Sequence, residues 1–590
     1  MSAAIERGRA AEIAEEGAGA TGLKGRGLVF AALAILTGCY YEWGVRATGT
    51  EFQWRTALTG YYDLLARGFA EGHLHTSYEP DPKLLALANP WDPNISEDVP
   101  KMFDAVLYNR HYYLYHGAGP AVLLFLPWFL LSHHDLPEGF AVFLFCFGGY
   151  LFVGLTLTAL LRMGQFRIGP ALYGLMLLAL GFCTSIPFLL NRPLVYEVAI
   201  SGGYFCVAGG FYFLAKTFES PGWLWPIASG LMFGLAVACR PHMIIAGGFA
   251  LLTMVLAKRR TLAFLAPFVV VGLLIAVYNF ARFGNPVDFG LKYQITGPNQ
   301  GALRPRLANV LPGIHYMLLT RPVFTKVFPW ALLAWPPPEF PRPPEYFIEP
   351  IIGAFFLAPF LPGAVVALFA RRLGSVRWTL VLSGCSIFAF LILTGLSTQR
   401  YEVDFLPWLA LAAVTGFAAL IGRSAGAARW AVCGVFAAAV AFGVFLNVAM
   451  AISGPFDDLM KNKPARYVTI AKWLSPFAEY RPQLNPPLSA DFYAPIAQKP
   501  DHQREDWFLA GRHLCRYELF LDHLNGKPVL VSRFCGSDVS KEMAPDDKPA
   551  LIQVRYATES HEMVVRARGD EVLRQKVDGL ITAPAQIVRQ

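Results

Sequence analysis

Ionisable residues are scarce in the apolar stretches of this sequence, and those that occur gather at one set of ends. Glu42, Arg192 with Glu197, Arg240, Arg282, and the group Arg400, Glu402 and Asp404 all fall at edges of long apolar runs. The opposite edges carry mainly cations, such as Arg162 and Arg167, Lys258-Arg259-Arg260, and Arg371-Arg372. A charge at membrane depth is costly, so such a group points to function by default. Carboxylates can take a proton from a hydroxyl, and guanidiniums can stabilise an anion as it departs. Two further carboxylates, Asp63 and Asp104, lie after the first apolar run among Tyr61, Tyr62, Tyr108, Tyr112, Tyr113 and Tyr115. The signatures of soluble enzymes are absent from the sequence: no P-loop, paired CxxC, HExxH or G-x-S-x-G. His133-His134 with Asp135 has the residue types of a metal site, but adjacent histidines of this kind read first as interfacial loop residues.

The elements that must hold these groups are membrane spans. Of 590 residues, 55% are hydrophobic and 16% charged, and the mean hydropathy is +0.41. A globular surface needs more charge than that. The net charge of +8 sits in short loops between apolar runs, which fits membrane topology and argues against nucleic acid. About eleven spans are expected by length and hydropathy. They run from Leu28 to Tyr41, Gly139 to Leu161, Pro170 to Leu190, Tyr196 to Lys216, Trp223 to Cys239 and Met243 to Ala257. The rest are Leu262 to Phe280, Ile351 to Ala370, Trp378 to Leu396, Phe405 to Ile421 and Trp430 to Ile452. The positive-inside rule sets the N-terminus, with Arg7, Arg9, Lys24 and Arg26, in the cytoplasm and the C-terminus outside. The polar stretch before the first run and the lack of a cleavage site after it predict a retained first span.

This divides the chain into a cytoplasmic tail (1–27), a membrane domain (28–453) and an extracytoplasmic domain (454–590). The outer side carries a large loop, 42–134, and a second segment, 282–350. Within the first, YYDLLARGFAEGHLHTSY predicts an amphipathic interfacial helix, and Ala118 to Leu131 a re-entrant or interfacial one. The second contains WPPPEFPRPPE, which favours extended polyproline conformation. Past Gly454 the apolar blocks stop and two hairpin signals appear. Asn525-Gly526 separates YELFLDHL from KPVLVSRF, and Gly569-Asp570 is the expected turn of HEMVVRARGDEVLRQKV. These predict a β-sandwich-like domain whose two cysteines, Cys515 and Cys535, are a candidate disulfide.

Several stretches resemble the GT-C superfamily of membrane glycosyltransferases, which take sugars from polyprenyl-phosphate carriers. FDAVLYNRHYYLYHGAGPAVLLFLP is similar to an outer-loop segment of such enzymes, with an Asp, then Tyr-Tyr, then a Gly-Pro entry to a short helix. SGLMFGLAVACRPH resembles their Gly-rich span ending in a cation near the carrier phosphate. RYEVDFLPWLALAA resembles the Arg-Tyr start of a late span, and YNFARFGNPVDFG also fits bacterial members. The resemblance covers about residues 28 to 450. One departure stands out: the acidic pair usual after span one has no counterpart, the nearby residues being Glu42, Glu51 and Asp63.

The resemblance implies an inverting transfer of a sugar from a polyprenyl-phosphate donor to a glycan, lipid or protein acceptor, at the outer face of a bacterial-type cytoplasmic membrane. Asp104 is the first expectation for general base, with helix capping as its plain alternative. Asp63 is second, its alternative a solvated polar face, and Glu42 third, its alternative an interfacial carboxylate. Arg400, Arg240 and Arg192 are the expected donor-phosphate ligands, Arg400 otherwise pairing with Glu402 or Asp404. Tyr61, Tyr62, Tyr112, Tyr113, Glu197 and Asp404 are expected to line the substrate site. Sequence names no cofactor and leaves a divalent cation open. A transporter or flippase is the competing reading, but such proteins show internal repeats and charges near mid-membrane, and neither is evident here.

Overall fold

The computed structural model describes residues 2–47, 60–96, 99–295, 305–324, 328–334, 340–454, 459, 463–474, 489–501, 503–510, 517–534, 537–557, 560–577 and 585–587. Two compact units emerge. One comprises residues 1–324 and 331–452, the other residues 325–330 and 453–590.

The first unit is helical, because a backbone in hydrocarbon must satisfy its own hydrogen bonds. Its main helices are α1 (Ser2–Ala47), α2 (Tyr61–Ala70), α3 (Leu126–Ser132), α4 (Glu138–Met163), α5 (Pro170–Phe182) and α6 (Val195–Glu219). They continue with α7 (Leu224–Cys239), α8 (Ile244–Leu256), α9 (Thr261–Phe283), α10 (Val376–Leu391), α11 (Glu402–Arg423) and α12 (Gly426–Ser453). Among the described residues, six helical stretches are long and apolar enough to cross a membrane, in α1, α4, α6, α9, α11 and α12. α5, α7, α8 and α10 are shorter apolar helices. α6 packs between α4 and α7, α7 against α9, and α10 against α8 and α11. Trp408, Tyr204 and Phe211 pack together in the core between α6 and α11.

Two expected spans come out differently. The run from Ile351 to Ala370 is two short helices, Ala354–Leu357 and Gly363–Leu368. Pro359 and Pro362, which lack an N–H, fall between them. The run from Pro170 to Leu190 stops as a helix at Phe182, and a left-handed Ser185 (φ 58°) leads into a separate turn, Ile186–Leu189.

In the segment that follows α1, α2 occupies the first part of the expected amphipathic helix and ends before Gly72. Ala118 to Leu131 forms a π-turn, Ala121–Phe125, running into α3, which ends at a left-handed His133. Between them β1 (Val106–Tyr108) and β2 (His111–Tyr113) form a hairpin turned by Asn109 and Arg110 at positive φ. The neighbouring Asp135 forms a bidentate pair with Arg67, at 2.9 and 2.6 Å, so it serves as a strut for α2.

The second unit carries two antiparallel sheets on a shared apolar core. Its strands are β3 (Ser489–Ile496), β4 (Glu505–Ala510), β5 (Tyr517–Leu524), β6 (Lys527–Phe534), β7 (Ser537–Glu542), β8 (Asp546–Ala557), β9 (Glu562–Ala567), β10 (Asp570–Lys576) and β11 (Ala585–Ile587). One sheet has the order β7-β6-β5-β4-β11 and the other β10-β9-β8-β3. Leu524 pairs with Lys527 across Asn525 (φ 53°) and Gly526 (φ 71°), the all-positive geometry of a type I′ turn. The second hairpin turns on Arg568-Gly569 and not Gly569-Asp570, since Ala567 pairs directly with Asp570. Cys515 and Cys535 lie outside the described residues.

Candidate functional site

Proline places the first cation. Arg240 follows the last residue of α7 and precedes Pro241, whose ring disfavours helical geometry in the residue before it. Arg240 is accordingly extended (φ −142°, ψ 110°), and its side chain turns inward, 7% exposed. Its guanidinium donates to the Asp404 carboxylate at 2.6 Å, and His242 lies 3.1 Å from the same oxygen. Asp404 sits in the first turn of α11, where a carboxylate is favoured by the helix dipole.

Arg400 occupies a 3-10 turn, Gln399–Tyr401, that leads into α11, and it too is 7% exposed. It faces Glu349 at 3.1 Å and Glu197 at 3.6 Å, and lies over the Tyr196 ring with its guanidinium carbon 4.6 Å from the centroid. Glu349 also accepts from Thr398, at 2.6 Å. Glu197 accepts from the backbone N–H of Leu194, capping α6. Arg400 therefore pairs with neither Glu402 nor Asp404, contrary to the sequence-based alternative. Glu402 accepts from Ser185 at 2.7 Å and Gln399 at 2.6 Å instead.

The segment between α1 and α4 supplies the remaining wall. Gly117 (φ 106°) and Gly119 let it run against the end of α7: a Cβ at Gly117 would lie 2.2 Å from the Ala238 carbonyl oxygen, and one at Gly119 2.6 Å from Cys239 Sγ. This close approach sets His116 beside Tyr196, with ring centroids 5.2 Å apart, and within the field of both arginines. Burial, then Arg240 and Arg400, hold the His116 imidazole well below its ordinary pKa. Among the described residues, the buried Nε of Arg240, Nε of Arg400, Nε2 of His116 and Oδ1 of Asp404 have no hydrogen-bond partner. Two guanidinium donors, one carboxylate acceptor and an imidazole nitrogen able to serve as either thus remain in this buried cluster.

Asp104 is not a helix cap. It holds a left-handed conformation (φ 59°) in the turn before β1. Its backbone N–H donates to Ile295 at 2.6 Å, and its Oδ1 accepts from Gln294 at 3.1 Å. Tyr61, which donates to the Phe103 carbonyl at 2.6 Å, is pushed up to about 12 by burial and then by Asp104. Burial likewise raises Tyr115, with Tyr401 and Asp104 adding and Arg400 and Arg240 opposing. Tyr115 therefore lies in the fields of both Asp104 and the arginine cluster.

The other expected residues have different surroundings. Asp63 is 3% exposed, so it is not on a solvated face. One oxygen accepts from the Leu136 N–H at 2.9 Å and the other from the Gly60 N–H at 3.2 Å, tying α2 to the start of α4. Burial pushes Asp63 up to about 7 despite those bonds. Glu42 pairs with Arg46 one turn along α1, at 2.7 Å, in an exposed position. Tyr62, Tyr112 and Tyr113 are core residues, packed respectively on Phe125, under the Met102 N–H, and on Phe283, and this removes them as open stacking platforms. Arg192 is half-buried and acts electrostatically on Glu197. Arg282 donates to the Leu114 carbonyl at 3.0 Å and to Asn279 at 2.6 Å, fastening α9 to the segment between α1 and α4.

Of the residues expected from sequence, the structure brings together Arg240, Arg400, Glu197 and Asp404. Sequence reasoning missed Glu349, His116, His242, Tyr196 and Tyr401, the last lying under Arg240 with its ring centroid 5.2 Å away. For His116 the signal was the glycine pair just after it, and for His242 the Arg-Pro-His run.

No protein-family model matches the sequence, and no curated protein matches it. Among solved structures, the chain is similar to ArnT from Cupriavidus metallidurans bound to undecaprenyl phosphate, at 14% identity and a TM-score of 0.39, covering 77% of this chain and 81% of that one. It is also similar to an oligosaccharyltransferase of Archaeoglobus fulgidus tethered to an acceptor peptide, at 11% identity and a TM-score of 0.42. That match covers 77% of this chain but 60% of the other, so the chain spans less than two thirds of the archaeal enzyme. At such identities and TM-scores neither neighbour assigns a chemistry to this chain, and that question turns on its own side chains.

Proposed function

We propose that the protein is a membrane glycosyltransferase that moves a sugar from a polyprenyl-phosphate donor to an acceptor hydroxyl at the outer membrane surface. The observation that carries this is the pair Arg240 and Arg400, both buried at helix ends and both with an Nε donor left over after pairing with carboxylates. A guanidinium has five N–H donors, so pairing with Asp404 or Glu349 still leaves donors for a phosphate. The motif resemblance in the same segments, SGLMFGLAVACRPH and RYEVDFLPWLALAA, supports the same assignment.

In this reading Asp104 takes the proton of the acceptor hydroxyl, whose oxygen attacks the anomeric carbon. The bond from that carbon to the phosphate oxygen breaks, and the released phosphate gains a negative charge that Arg240 and Arg400 stabilise. The left-handed backbone of Asp104, held by Gln294 and Ile295, fixes the carboxylate beside Tyr61. Asp63 holds α2 in place through the Gly60 and Leu136 N–H groups. The N-terminus is cytoplasmic and the second unit extracytoplasmic, serving to hold acceptor or partner.

The cluster stands where helices begin or end, at the C-cap of α7 and the first turns of α6 and α11, and not along their middles. We read these helix ends as lying at the membrane surface, where the headgroup of a lipid donor sits; transport is the competing reading, and the two differ in whether the lipid is cleaved. The deciding experiment reconstitutes the purified chain in liposomes with a labelled polyprenyl-phosphate sugar. Release of polyprenyl monophosphate that depends on Arg400 supports the transferase. Movement of the intact lipid across the bilayer without cleavage would instead establish a flippase.

A further inference from the structure

His116 belongs to none of the roles assigned so far, yet it is a buried polar side chain beside the two arginines. It is 8% exposed, its Nε2 has no hydrogen-bond partner among the described residues, and burial beside two guanidiniums disfavours its charged form. An imidazole nitrogen buried without a partner forfeits a hydrogen bond worth making, so a site that keeps one invites a ligand atom there. The surrounding backbone is shaped to hold it. Gly117 and Gly119 bring its loop onto Ala238 and Cys239, immediately before Arg240, and Tyr196 lies edge-on to its ring while also lying under Arg400.

We propose that His116 is a third ligand of the anion site, its Nε2–H donating to an oxygen of the phosphate-type group that Arg240 and Arg400 neutralise. This rests on the anion site of the function proposed above, and adds to it a donor that is not a cation. The distinction has a physical reason. Arg240 and Arg400 already converge here, and a third positive charge would be repelled by both, whereas a neutral N–H adds a directed bond without that cost. The bond strengthens as charge builds on the phosphate, so it contributes more to the departing group than to the intact donor.

The test is equilibrium binding to the full-length chain in detergent, read from ligand-induced shifts in melting temperature across a titration. Two probes are used, a polyprenyl monophosphate and inorganic phosphate. The variants are His116→Phe, which keeps an aromatic ring without a donor, and His116→Gln, whose amide N–H can reach the Nε2 position. The proposal expects His116→Phe to bind the lipid phosphate about ten- to a hundred-fold more weakly, as for loss of one hydrogen bond to a charged group. It expects His116→Gln to recover most of that loss. If His116→Phe does not melt cooperatively, His116→Met replaces it as the donor-free variant.

Equal affinity of the wild type and the donor-free variant would overturn the role of His116 while leaving the transferase reading intact. A His116→Gln protein no better than the donor-free one would also overturn it, since the loss would then be one of packing. If the wild type ignores the lipid but binds inorganic phosphate in a His116-dependent way, the third ligand stands and the lipid-donor reading falls. Binding of neither probe by the wild type would remove both.

Discussion

Arg240 and Asp404 are 164 residues apart in the chain, and the guanidinium of one lies 2.6 Å from the carboxylate of the other. Both are buried, so neither charge has water to fall back on. The pair locks the C-terminal end of α7 to the N-terminal turn of α11. It does so where a proline has already stopped α7 and an acidic first turn has started α11. Breaking such a pair from one side is strongly destabilising, because the surviving charge stays buried without its partner.

Asp404→Ala should therefore lower stability by about 3–5 kcal/mol. Replacing both partners with apolar residues, Arg240→Met with Asp404→Leu, should restore much of that loss. Transfer should remain abolished in the double variant. Thermal unfolding and a transfer assay on the same preparations check this. A double variant with normal transfer would take Arg240 out of the site.

Arg400→Ala should abolish transfer, since a desolvated cation–phosphate contact contributes several kcal/mol to a transition state. It should also cost stability, because Glu197 and Glu349 both face Arg400. Arg400→Lys should keep the charge and the fold but recover only part of the activity, lacking the planar fork. Rates of sugar transfer alongside melting curves separate the two effects, and an active alanine variant would refute the assignment.

Asp104→Asn should leave the fold unchanged, because Asn tolerates the left-handed backbone that Asp104 adopts (φ 59°). Catalysis should fall about 100- to 10,000-fold, the usual loss when a general base goes. Asp63→Asn should behave in the opposite way. Its two oxygens accept from two backbone N–H groups, and an amide has only one acceptor oxygen, so stability should fall more than transfer chemistry. Glu42→Gln, losing only an exposed pair with Arg46, should change little. Transfer at the parent rate in Asp104→Asn would place the base elsewhere.

Asp63 also gives the outer loop a pH dependence of predictable sign. Its pKa rises from 3.8 to about 7 on folding, chiefly through burial. Between those values the folded protein holds a proton that the unfolded chain has released, so stability falls as pH rises. The contribution is fully present below the lower value, lost through the upper one, and constant beyond it. Melting temperatures between pH 4 and pH 8, compared for the wild type and Asp63→Asn, should show a steeper decline in the wild type. Parallel profiles would assign the pH dependence to other groups.

Topology is open to direct labelling. A single cysteine at Ser560 should react with an impermeant thiol reagent from outside intact cells, and one at Ser424 only after permeabilisation. Endogenous cysteines are first replaced by serine or alanine. The reverse pattern would put the arginine cluster on the cytoplasmic side and end the outward-site proposal.

The helical membrane unit, the β-rich unit after it and the turn at Asn525-Gly526 were legible in the chain, because each is written in a local pattern. Long apolar runs must be helical in lipid, and an Asn-Gly between alternating strands permits the two positive φ angles of a tight hairpin. The sequence also marked Arg240, Arg400, Glu197 and Asp404, together with Glu42, Arg192, Arg282 and Glu402, since charge at the end of an apolar run is costly wherever it occurs. Partner choice was beyond it. Arg400 faces Glu197 and Glu349 although Glu402 and Asp404 are its near neighbours in sequence, because helix geometry turns Glu402 toward Ser185 and Gln399 while α7 delivers Arg240 to Asp404. The same limit applies to the tyrosines. Tyr62, Tyr112 and Tyr113 read as possible sugar platforms until packing buried them, whereas His116 gained its place from two glycines whose missing side chains let one backbone approach another. Burial and long-range pairing depend on which surfaces meet once the helices have packed, and no local pattern records that.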